Sequence, residues 1–403
     1  MDDIHPLIAI IGAGPGGLTL ARLLTLRSIP YTIFELRTKF NSSKATGTLD
    51  LHAETGQNAL RQCGLWAKAE ALFKPDGEDK YICDKNGEVL HYNSGHPQLS
   101  RPEIDRIDLI KILRESVPEE NILWNHKLIS ISPTSANRWH LEFEGREGEN
   151  HEFDLVVGAD GAWSRIRTAL SEVQPLHSKT NCIITHVTDV DNTQPDIAKQ
   201  IRNGTYWCLG DRKSIIYQRD GHGSLLAYLM VTSPNPSYIY PKRGGSTVDL
   251  AKLAPKALLS ELISHPDLFA SWGESLKAIV TASSLEAEHC KLVPIYMLPI
   301  GFSWESRTGI TLIGDAAHLM TPFAGEGVNM AMIDAVEIAD AIVKASKGIM
   351  TLAQAIMNYE KVMFARTKKI AQDSVDAQEL FFAETSPNSL VAWMSEMIAK
   401  ADS

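Results

Sequence analysis

The apolar and polar positions at the start of the chain predict a strand, a helix and a second strand. Residues 7–11 form an apolar run, residues 18–27 have helical spacing, and residues 31–35 are again typical of a strand. The turn between the first strand and the helix is Gly-Ala-Gly-Pro-Gly-Gly. This order of elements predicts a βαβ unit.

Three glycines and one acid in this unit match the dinucleotide-binding fingerprint. Gly12 permits a tight turn, Gly14 lets the backbone approach a pyrophosphate, and Gly17 allows close helix–strand packing. Glu35 ends the second strand about twenty residues later, where a carboxylate binds an adenosine ribose. Glycine triplets alone are weak evidence, but strand, glycines, helix, strand and acid together predict a nucleotide site.

Two later apolar strands also lead into glycine and an acid. Residues 154–157 precede Asp160, and residues 310–313 precede Asp315. Ligands of α/β folds bind at the carboxyl ends of such strands. Asp315 lies on a turn of small residues, where its carboxylate is able to accept hydrogen bonds from a polyol chain.

The stretch after Asp315 predicts a proline-containing loop and a helix that starts near Gly327. Gly325 and Gly327 have no Cβ atom, so their backbone can lie close to a flat ligand. A helix start also favours negative charge, such as that on one edge of a reduced flavin. Taken alone, an ordinary strand–loop–helix connection explains the stretch equally well. His318 is interpreted as structural rather than as an acid or base.

Other charged positions have more than one interpretation. Asp50 is a turn or helix-cap residue unless it meets a ligand. Arg106 leads a predicted helix and would pair with a phosphate, a flavin edge or a surface carboxylate. Arg165 and Arg167 are interpreted as solvated helix residues in preference to contacts of a phosphorylated reductant.

The middle of the chain predicts antiparallel β-structure. Strands are expected at residues 181–187, 206–209, 214–218 and 225–231, and helical stretches at 250–264 and 266–272. Shorter strands at 123–125, 127–131 and 139–144 predict a β-meander. Near the end, Thr351 to Gln354 forms a capping box that opens a long helix, which ends before Ser386-Pro387.

The predicted fold class is α/β, a Rossmann-like nucleotide-binding domain with an inserted antiparallel β-sheet domain and a long C-terminal helix. The nucleotide-binding domain is expected to comprise residues 1–72, 98–172 and 286–345. The inserted substrate-binding domain would comprise residues 73–97 and 173–285, and the bridging helix residues 346–403.

Composition narrows the class of protein. The net charge of −10 argues against a nucleic-acid surface, and no apolar stretch is long enough for a membrane span. Five scattered cysteines without a Cys-x-x-Cys pair argue against a disulfide framework and a zinc site, and no metal cluster stands out. With no secretory signal visible after Met1, a cytoplasmic enzyme is expected.

Three separated motifs occur together in this chain. They are the glycine motif with Glu35, Gly-Ala-Asp-Gly-Ala-Trp-Ser-Arg-Ile-Arg at 158–167, and Gly-Asp-Ala-Ala-His-Leu-Met-Thr-Pro-Phe-Ala-Gly-Glu-Gly-Val-Asn at 314–329. The sequence therefore resembles the class A flavin-dependent aromatic hydroxylases, the family built like para-hydroxybenzoate hydroxylase. Residues 47–52, 102–106, 358–360 and 363–364 make it look most similar to the tetracycline-inactivating monooxygenases.

The resemblance implies an FAD site and a transient NADPH site. The ADP half of FAD would be held by Gly12, Gly14, Gly17 and Glu35. The flavin half would contact Asp50, Arg106 and Asp315, and the ring would lie against Gly325, Gly327, Val328 and Asn329. Asp160 and Gly161 would serve both FAD and NADPH. Relatives have Glu-Arg where this chain has Glu35-Leu36-Arg37, and Lys44 falls near their NADPH-contacting arginine.

The resemblance also suggests where a substrate would bind. Pro322 and Phe323 would line the pocket over the flavin. Strand alternation and the end of the long helix add Tyr217, Tyr228, Met230 and Phe382. Polar residues that recognise tetracycline have no clear counterpart at 184–186 and 226–228, so we expect a different aromatic or polyketide-like molecule.

The implied activity is that of an NADPH-dependent FAD monooxygenase. Because FAD would occupy the one fingerprint, NADPH would visit from solvent, and reduced flavin would react with O₂ to give a C4a-hydroperoxide that hydroxylates the substrate. No side chain is assigned a catalytic role, because the cofactor does the chemistry. The alternatives are an oxidase or dehydrogenase, Baeyer–Villiger-type oxygenation, and a flavin-binding redox sensor. A halogenase is disfavoured, because its Trp-x-Trp-x-Ile-Pro motif is missing.

Overall fold

A computed structural model describes residues 5–39, 47–74, 79–94, 101–201, 204–241, 246–283 and 290–401. The strands in these ranges are β1 (Ile8–Ile11), β2 (Tyr31–Glu35), β3 (Thr48–Asp50), β4 (Lys80–Cys83), β5 (Val89–Asn93), β6 (Glu103–Asp105), β7 (Ile122–Trp124), β8 (Leu128–Pro133), β9 (Trp139–Phe143), β10 (Glu152–Phe153), β11 (Leu155–Gly158), β12 (Leu176–Val187), β13 (Thr205–Gly210), β14 (Lys213–Arg219), β15 (Leu225–Thr232), β16 (Ile239–Pro241), β17 (Thr247–Asp249), β18 (Lys291–Met297) and β19 (Ile310–Leu312).

The α-helices in the same ranges are α1 (Pro15–Leu26), α2 (Asn58–Gln62), α3 (Trp66–Glu70), α4 (Arg106–Glu115), α5 (Val190–Thr193), α6 (Pro195–Gln200), α7 (Pro255–Ser264), α8 (Glu274–Ser283), α9 (Asp315–His318), α10 (Gly327–Ser346), α11 (Leu352–Phe381) and α12 (Asn388–Ala401).

The chain divides into two compact units. The first comprises Met1–Phe73, Ile104–Leu176 and Tyr296–Ser374, and the second comprises Lys74–Glu103, His177–Ile295 and Val375–Ser403. The predicted bridging segment, residues 346–403, therefore does not form a unit of its own. Its helix α11 passes from the first unit to the second after Ser374.

The first unit is built on a parallel sheet with the strand order β19-β11-β1-β2-β7. Every residue of β1 and β11 is buried, as expected for strands that are covered on both faces. Because the strands are parallel, the loops after β1, β11 and β19 leave the same edge of the sheet. The predicted Rossmann-like domain is confirmed in this architecture.

One strand belongs to a different sheet from the predicted one. β7 pairs in parallel with β2, with Ile122 opposite Ile33, and is the edge strand of the parallel sheet. The antiparallel meander consists instead of β8, β9 and β10. A strand was predicted correctly near residues 123–125, but its assignment to the meander was wrong, because a short apolar strand gives no indication of its partner.

The second unit contains a seven-stranded sheet with the order β18-β12-β15-β14-β13-β4-β5. Its strands β12, β15, β14 and β13 are antiparallel neighbours, as predicted. Helices α7 and α8 bury Leu258, Leu259 and Leu276 in a core on one face of this sheet. Residues 266–272, predicted as helix, form turns between these two helices.

The long C-terminal helix begins as the capping box predicts. The Gln354 N–H donates to Thr351 Oγ1 over 3.2 Å, and the Thr351 N–H donates to Gln354 Oε1 over 3.0 Å. The helix ends at Phe381, before Ser386-Pro387. In the described parts of the chain, no helix combines the length and the apolar content that a membrane span requires.

Candidate active site

Of the four glycines in the turn after β1, Gly12 and Gly17 are required by packing, and Gly14 faces open space. Gly12 has a φ of +106°, and a Cβ atom there would lie 2.4 Å from the Ala159 oxygen. A Cβ atom at Gly17 would lie 2.1 Å from the Gly12 oxygen. At Gly14 no described atom lies within 4 Å of that position, which leaves room for a ligand against the start of α1.

Glu35 holds this turn in place from the end of β2. Its Oε2 accepts a 2.7 Å hydrogen bond from the Ala13 N–H, and its Oε1 accepts 2.8 Å and 2.9 Å hydrogen bonds from Arg37. Burial opposes ionisation, but hydrogen bonds from Arg37 and Ala13 outweigh it and lower the pKa of the Glu35 carboxyl. Leu36 is exposed, so Arg37, one position later than the arginine of relatives, makes the ion pair.

The loop after β11 carries Asp160 and a buried arginine. Asp160 Oδ2 accepts a 2.7 Å hydrogen bond from the Arg165 N–H, while Oδ1 is buried without a described partner. Burial raises the pKa of this carboxyl. Arg167 is 2% exposed and donates to the main-chain oxygens of Ala316 and Ala162 over 3.0 Å and 2.7 Å. The interpretation of Arg167 as a solvated residue was therefore wrong, whereas Arg165 is exposed.

Asp315 follows buried β19 and begins the short helix α9. Its side chain is exposed, although the next three residues are buried. No hydrogen bond or ion pair involves its carboxylate among the described residues. An exposed carboxylate at the carboxyl edge of a parallel sheet is suited to accept hydrogen bonds from polar groups of a bound ligand.

The turn before α10 meets β3 through a histidine between two acids. His52 Nε2 lies 3.2 Å from Asp50 Oδ2, and His52 Nδ1 lies 3.0 Å from Glu326 Oε1. Gly325 has a φ of +70°, and a Cβ atom there would lie 3.0 Å from Asp50 Oδ1. At Gly327 no described atom lies within 4 Å of a Cβ position. Asp50 and the glycine turn, predicted from distant motifs, are neighbours.

The side chain of Asn329 is committed to protein contacts. It is completely buried, accepts hydrogen bonds from the His52 and Gly56 N–H groups over 2.9 Å and 3.2 Å, and donates to the Asp50 oxygen over 2.9 Å. A contact between its backbone and the flavin ring stays a prediction, as does the contact expected of half-buried Val328. The side chain instead fixes the start of α10 against the segment after β3.

A buried ion-pair network lies behind the Asp315 turn. Asp334 is inaccessible to solvent; its Oδ2 lies 2.5 Å from His318 Nε2 and accepts a 2.9 Å hydrogen bond from the Gly314 N–H. Arg366 donates to Asp334 Oδ1 over 2.7 Å and also pairs with Glu337. The structural interpretation of His318 agrees with this burial. Sequence reasoning missed Asp334. The signal that could have identified it is an acid within the otherwise apolar start of α10.

Burial and the ion pair act in opposite directions on this network. Burial disfavours the charged form of His318, but the carboxylate of Asp334 outweighs it and raises the pKa of the histidine. Burial likewise opposes ionisation of Asp334, and His318 with Arg366 and the Gly314 N–H lowers the pKa of its carboxyl. The pair thus favours the protonated form of His318 and the ionised form of Asp334.

The remaining predicted cofactor contacts differ in how well they are placed. Arg106 begins α4, its N–H donates to the Gly47 oxygen over 2.9 Å, and its side chain is exposed. The alternative of a surface ion pair has no partner for it within the described residues. Lys44 lies outside the described residues, so its expected contact with NADPH stays a prediction.

Three predicted substrate residues of the second unit lie on two different faces of its sheet. Tyr217 lies opposite Ala227, whereas Tyr228 and Met230 lie on the other face of the sheet, because adjacent residues of a strand point to opposite sides. Tyr217 therefore does not share a sheet face with Tyr228 and Met230, and the expected role of each in substrate binding stays a prediction. Phe382 is buried in the second unit, Phe323 is half-buried, and Pro322 is exposed in the first unit.

The first unit thus offers a cradle for a dinucleotide at one edge of its parallel sheet. The loop after β1 has open space at Gly14, and the start of α10 has open space at Gly327. The loop after β11 carries the buried Asp160 Oδ1, which has no partner among the described residues, and the loop after β19 carries the exposed Asp315. The glycine positions leave space for a ligand backbone, and the acids provide acceptors for hydroxyl groups. These features fit FAD.

Comparison with known proteins identifies the family. A model of an FAD binding domain matches residues 7–240 and 304–373. The chain belongs to the FAD-binding monooxygenases. It is 34% identical to the monooxygenase asqM of Emericella nidulans, over 93% of each chain. It is 32% identical to the monooxygenase penA of Penicillium thymicola, over 90% of this chain and 92% of that protein.

A solved structure shows the same fold at lower identity. The tetracycline destructase Tet(55) superimposes with a TM-score of 0.75 and 19% identity, over 99% of this chain and 96% of the other. At this identity the likeness shows the fold alone. Together with the family match, it confirms the resemblance to class A flavin monooxygenases, and the chain is an FAD-dependent monooxygenase.

Proposed function

We propose that this monooxygenase uses NADPH and O₂ to hydroxylate an aromatic or polyketide-like small molecule. The observation that carries the proposal is the exposed Asp315, together with the open glycine positions Gly14 and Gly327 in the same unit, in a chain of this family. Once reduced, FAD supplies the activation of O₂ and the transfer of one oxygen atom. The protein supplies binding, orientation and charge.

Two ends of the cradle would hold the two halves of FAD. At the ADP end, the turn of Gly12, Gly14 and Gly17 leads into the start of α1, where a helix presents N–H groups to an anion, while Glu35 keeps that turn in shape. Glu35 Oε2 already accepts a hydrogen bond, and a carboxylate oxygen has a second lone pair for a ribose hydroxyl. Asp315 would bind the ribityl chain.

The flavin ring would lie near the start of α10. This helix is 20 residues long, and its first N–H groups at Gly327 and Val328 favour negative charge on the reduced ring. Asp50 lies close to Gly325 and so limits how near the turn can come to β3. Arg106 adds a positive charge. Pro322 and Phe323, in the turn before Gly325, would cover the ring from the substrate side.

NADPH would act as a visiting electron donor. The chain has one glycine fingerprint, and FAD would occupy it. The loop of Asp160 and Gly161 supports a transient second site, because Gly161 has a φ of +78° and no described atom lies within 4 Å of its Cβ position. A phosphorylated reductant could therefore approach the backbone there.

Turnover by the FAD-loaded protein tests the proposal. NADPH oxidation and O₂ uptake are followed with a panel of phenols, quinones and fused-ring aromatics, and products are identified by mass spectrometry. We expect one panel member to stimulate both rates and to yield a product that has gained one oxygen atom. NADH in place of NADPH serves as the matched comparison.

Other outcomes would favour the alternatives. Bleaching of the flavin by a substrate without NADPH and without O₂ would contradict a monooxygenase that depends on NADPH and would favour a dehydrogenase. An ester or lactone product would show oxygen insertion next to a carbonyl. If no member of the panel increases the rate of NADPH oxidation, the proposed substrate class is contradicted.

A further inference from the structure

The second unit contains a cavity of about 560 Å³ that has no part in the proposed FAD cradle. All residues that line it belong to the second unit, whereas the residues assigned to FAD belong to the first. Small-molecule sites occupy about 300–1,000 Å³. The cavity is therefore large enough for a molecule of two or three fused or linked rings.

A row of four tyrosines forms one wall of this cavity. Tyr92, Tyr81, Tyr206 and Tyr217 are cross-strand neighbours on β5, β4, β13 and β14. Successive ring centroids lie 4.8 Å, 4.4 Å and 4.7 Å apart, with interplanar angles of 26°, 11° and 9°. The row ends at Ala227, opposite Tyr217, and at the sheet edge with Tyr92, which is 49% exposed.

Two helices provide the opposite wall. Ile197 of α6 and Leu276 and Ile279 of α8 contribute apolar surface, while Gln200 and Ser275 lie at exposed positions. Elsewhere α7 packs leucines against the core on the same sheet face. The unfilled space over the tyrosine row is therefore a local feature of this layer.

The chemistry of the wall selects the charge of a ligand. Among the described residues that line the cavity, none is acidic, basic or a histidine. Moving an ion from water into such surroundings costs free energy, because the described residues of the wall carry no opposite charge. Tyrosine rings instead attract other rings through edge and offset contacts, and the Tyr92 hydroxyl donates a 3.1 Å hydrogen bond to Asp79 Oδ1 at the sheet edge.

We propose that this cavity is a second small-molecule site that binds neutral aromatic compounds. The ligand would lie along the tyrosine row and enter beside Tyr92 at the sheet edge. Binding there requires neither flavin reduction nor turnover, so the site stands or falls independently of the proposed hydroxylase activity.

A matched pair of fluorescent probes tests the site in the FAD-loaded protein. N-phenyl-1-naphthylamine is neutral, and 1-anilinonaphthalene-8-sulfonate is the same ring system with one negative charge. We expect the neutral probe to bind at least tenfold more tightly. Ser275→Trp, at the mouth of the cavity on α8, should weaken its binding at least tenfold, whereas Ala278→Trp, exposed on the same helix outside the cavity, should leave it unchanged.

A second blocking variant guards against a local packing defect. Gln200→Trp closes the cavity from α6, and it should reduce binding of the neutral probe in the same way. Circular dichroism and flavin absorbance should match those of the parent protein for the variants compared. Equal affinity for the two probes, or unchanged binding of the neutral probe in both blocking variants, would overturn the proposal.

Discussion

At the residue scale, the cradle depends on a difference between glycines that support protein packing and glycines that leave space for a ligand. A Cβ atom at Gly17 would overlap the Gly12 oxygen, but one at Gly14 would meet no described atom within 4 Å. Gly14 also has a φ of −80°, which any residue can adopt. The same fingerprint therefore contains residues of two kinds.

Substitution by alanine should separate the two kinds. Gly14→Ala should leave the free energy of unfolding of the apoprotein within about 0.5 kcal/mol of the parent value. It should weaken FAD binding by about tenfold or more, or roughly 1.4 kcal/mol. Gly17→Ala should lower the free energy of unfolding by about 1–3 kcal/mol through overpacking. Denaturant unfolding and FAD titration measure both, and equal loss of stability in the two variants would contradict the distinction.

Asp315→Ala should weaken FAD retention. Loss of hydrogen bonds from ligand hydroxyls to a charged acceptor costs about 1.5–3 kcal/mol, which corresponds to roughly a tenfold to hundredfold higher dissociation constant. The control is Asp373→Ala, which removes an exposed acid from α11 in the same unit. Flavin fluorescence titration of the apoproteins gives the constants; an unchanged value for Asp315→Ala would remove that residue from the site.

At the scale of elements, three helices of the first unit meet at one buried carboxylate. Asp334 of α10 binds His318 of α9 and Arg366 of α11, and it also accepts a hydrogen bond from the Gly314 N–H, next to Asp315. A buried charge network of this kind has demanding geometry, because each partner compensates the desolvation of the others. It therefore positions the turn that carries Asp315.

Asp334→Asn should be strongly destabilising. It removes the buried counter-charge of His318 and one of the two carboxylates that pair with Arg366, a change that costs about 3–5 kcal/mol. Glu337→Gln is the control, because Glu337 contacts the same arginine but retains 27% side-chain exposure. Its effect should be about 1 kcal/mol or less. Comparable free energies of unfolding for the two variants would show that the buried network does not hold these helices.

The same network predicts a pH dependence of stability. The pKa of His318 is raised above 6.5 in the folded protein, so its contribution is complete below the unfolded pKa and is lost as pH rises through the folded pKa. We therefore expect the free energy of unfolding to fall as pH rises above 6.5. His318→Gln should flatten this slope, whereas His140→Gln, a control in the same unit, should keep it. Denaturant unfolding over this pH range provides the measurement.

At the scale of the whole molecule, the two units differ in the role we propose for them. The FAD-binding family match extends over parts of both, yet the described residues assigned to FAD lie in the first. A ligand that binds the folded state stabilises it by mass action, by about 2.7 kcal/mol at a hundredfold excess over its dissociation constant. The segments that contact the ligand gain the most protection from local opening.

Hydrogen exchange should reveal this distribution. Addition of FAD to the apoprotein should slow exchange most in the glycine turn before α1, in the loop after β11 and from Asp315 to the start of α10. The control is the same titration with Asp315→Ala protein at equal fractional saturation, in which protection at α9 should be reduced. Protection confined to the second unit would contradict the assignment of FAD to the first.

Local sequence patterns determined much of the fold and of the cradle. The βαβ opening, the strands before Asp160 and Asp315, the antiparallel sheet of the second unit and the capping box of α11 follow from spacing within short windows. Backbone geometry and burial act over a few residues there, so the pattern suffices. The same holds for Gly17, because a Cβ atom there would meet the Gly12 oxygen of the same motif.

Tertiary structure decided the features that depend on distant partners. Asn329 reaches His52, 277 positions away in sequence, and Arg167 reaches Ala316 across 149 positions. The sheet to which β7 belongs, and the opposite faces of Tyr217 and Tyr228, were likewise set by pairing between strands. A polar side chain can be buried only where another segment of the folded chain supplies its hydrogen bonds. Because those segments are distant in sequence, no short window contains the partners.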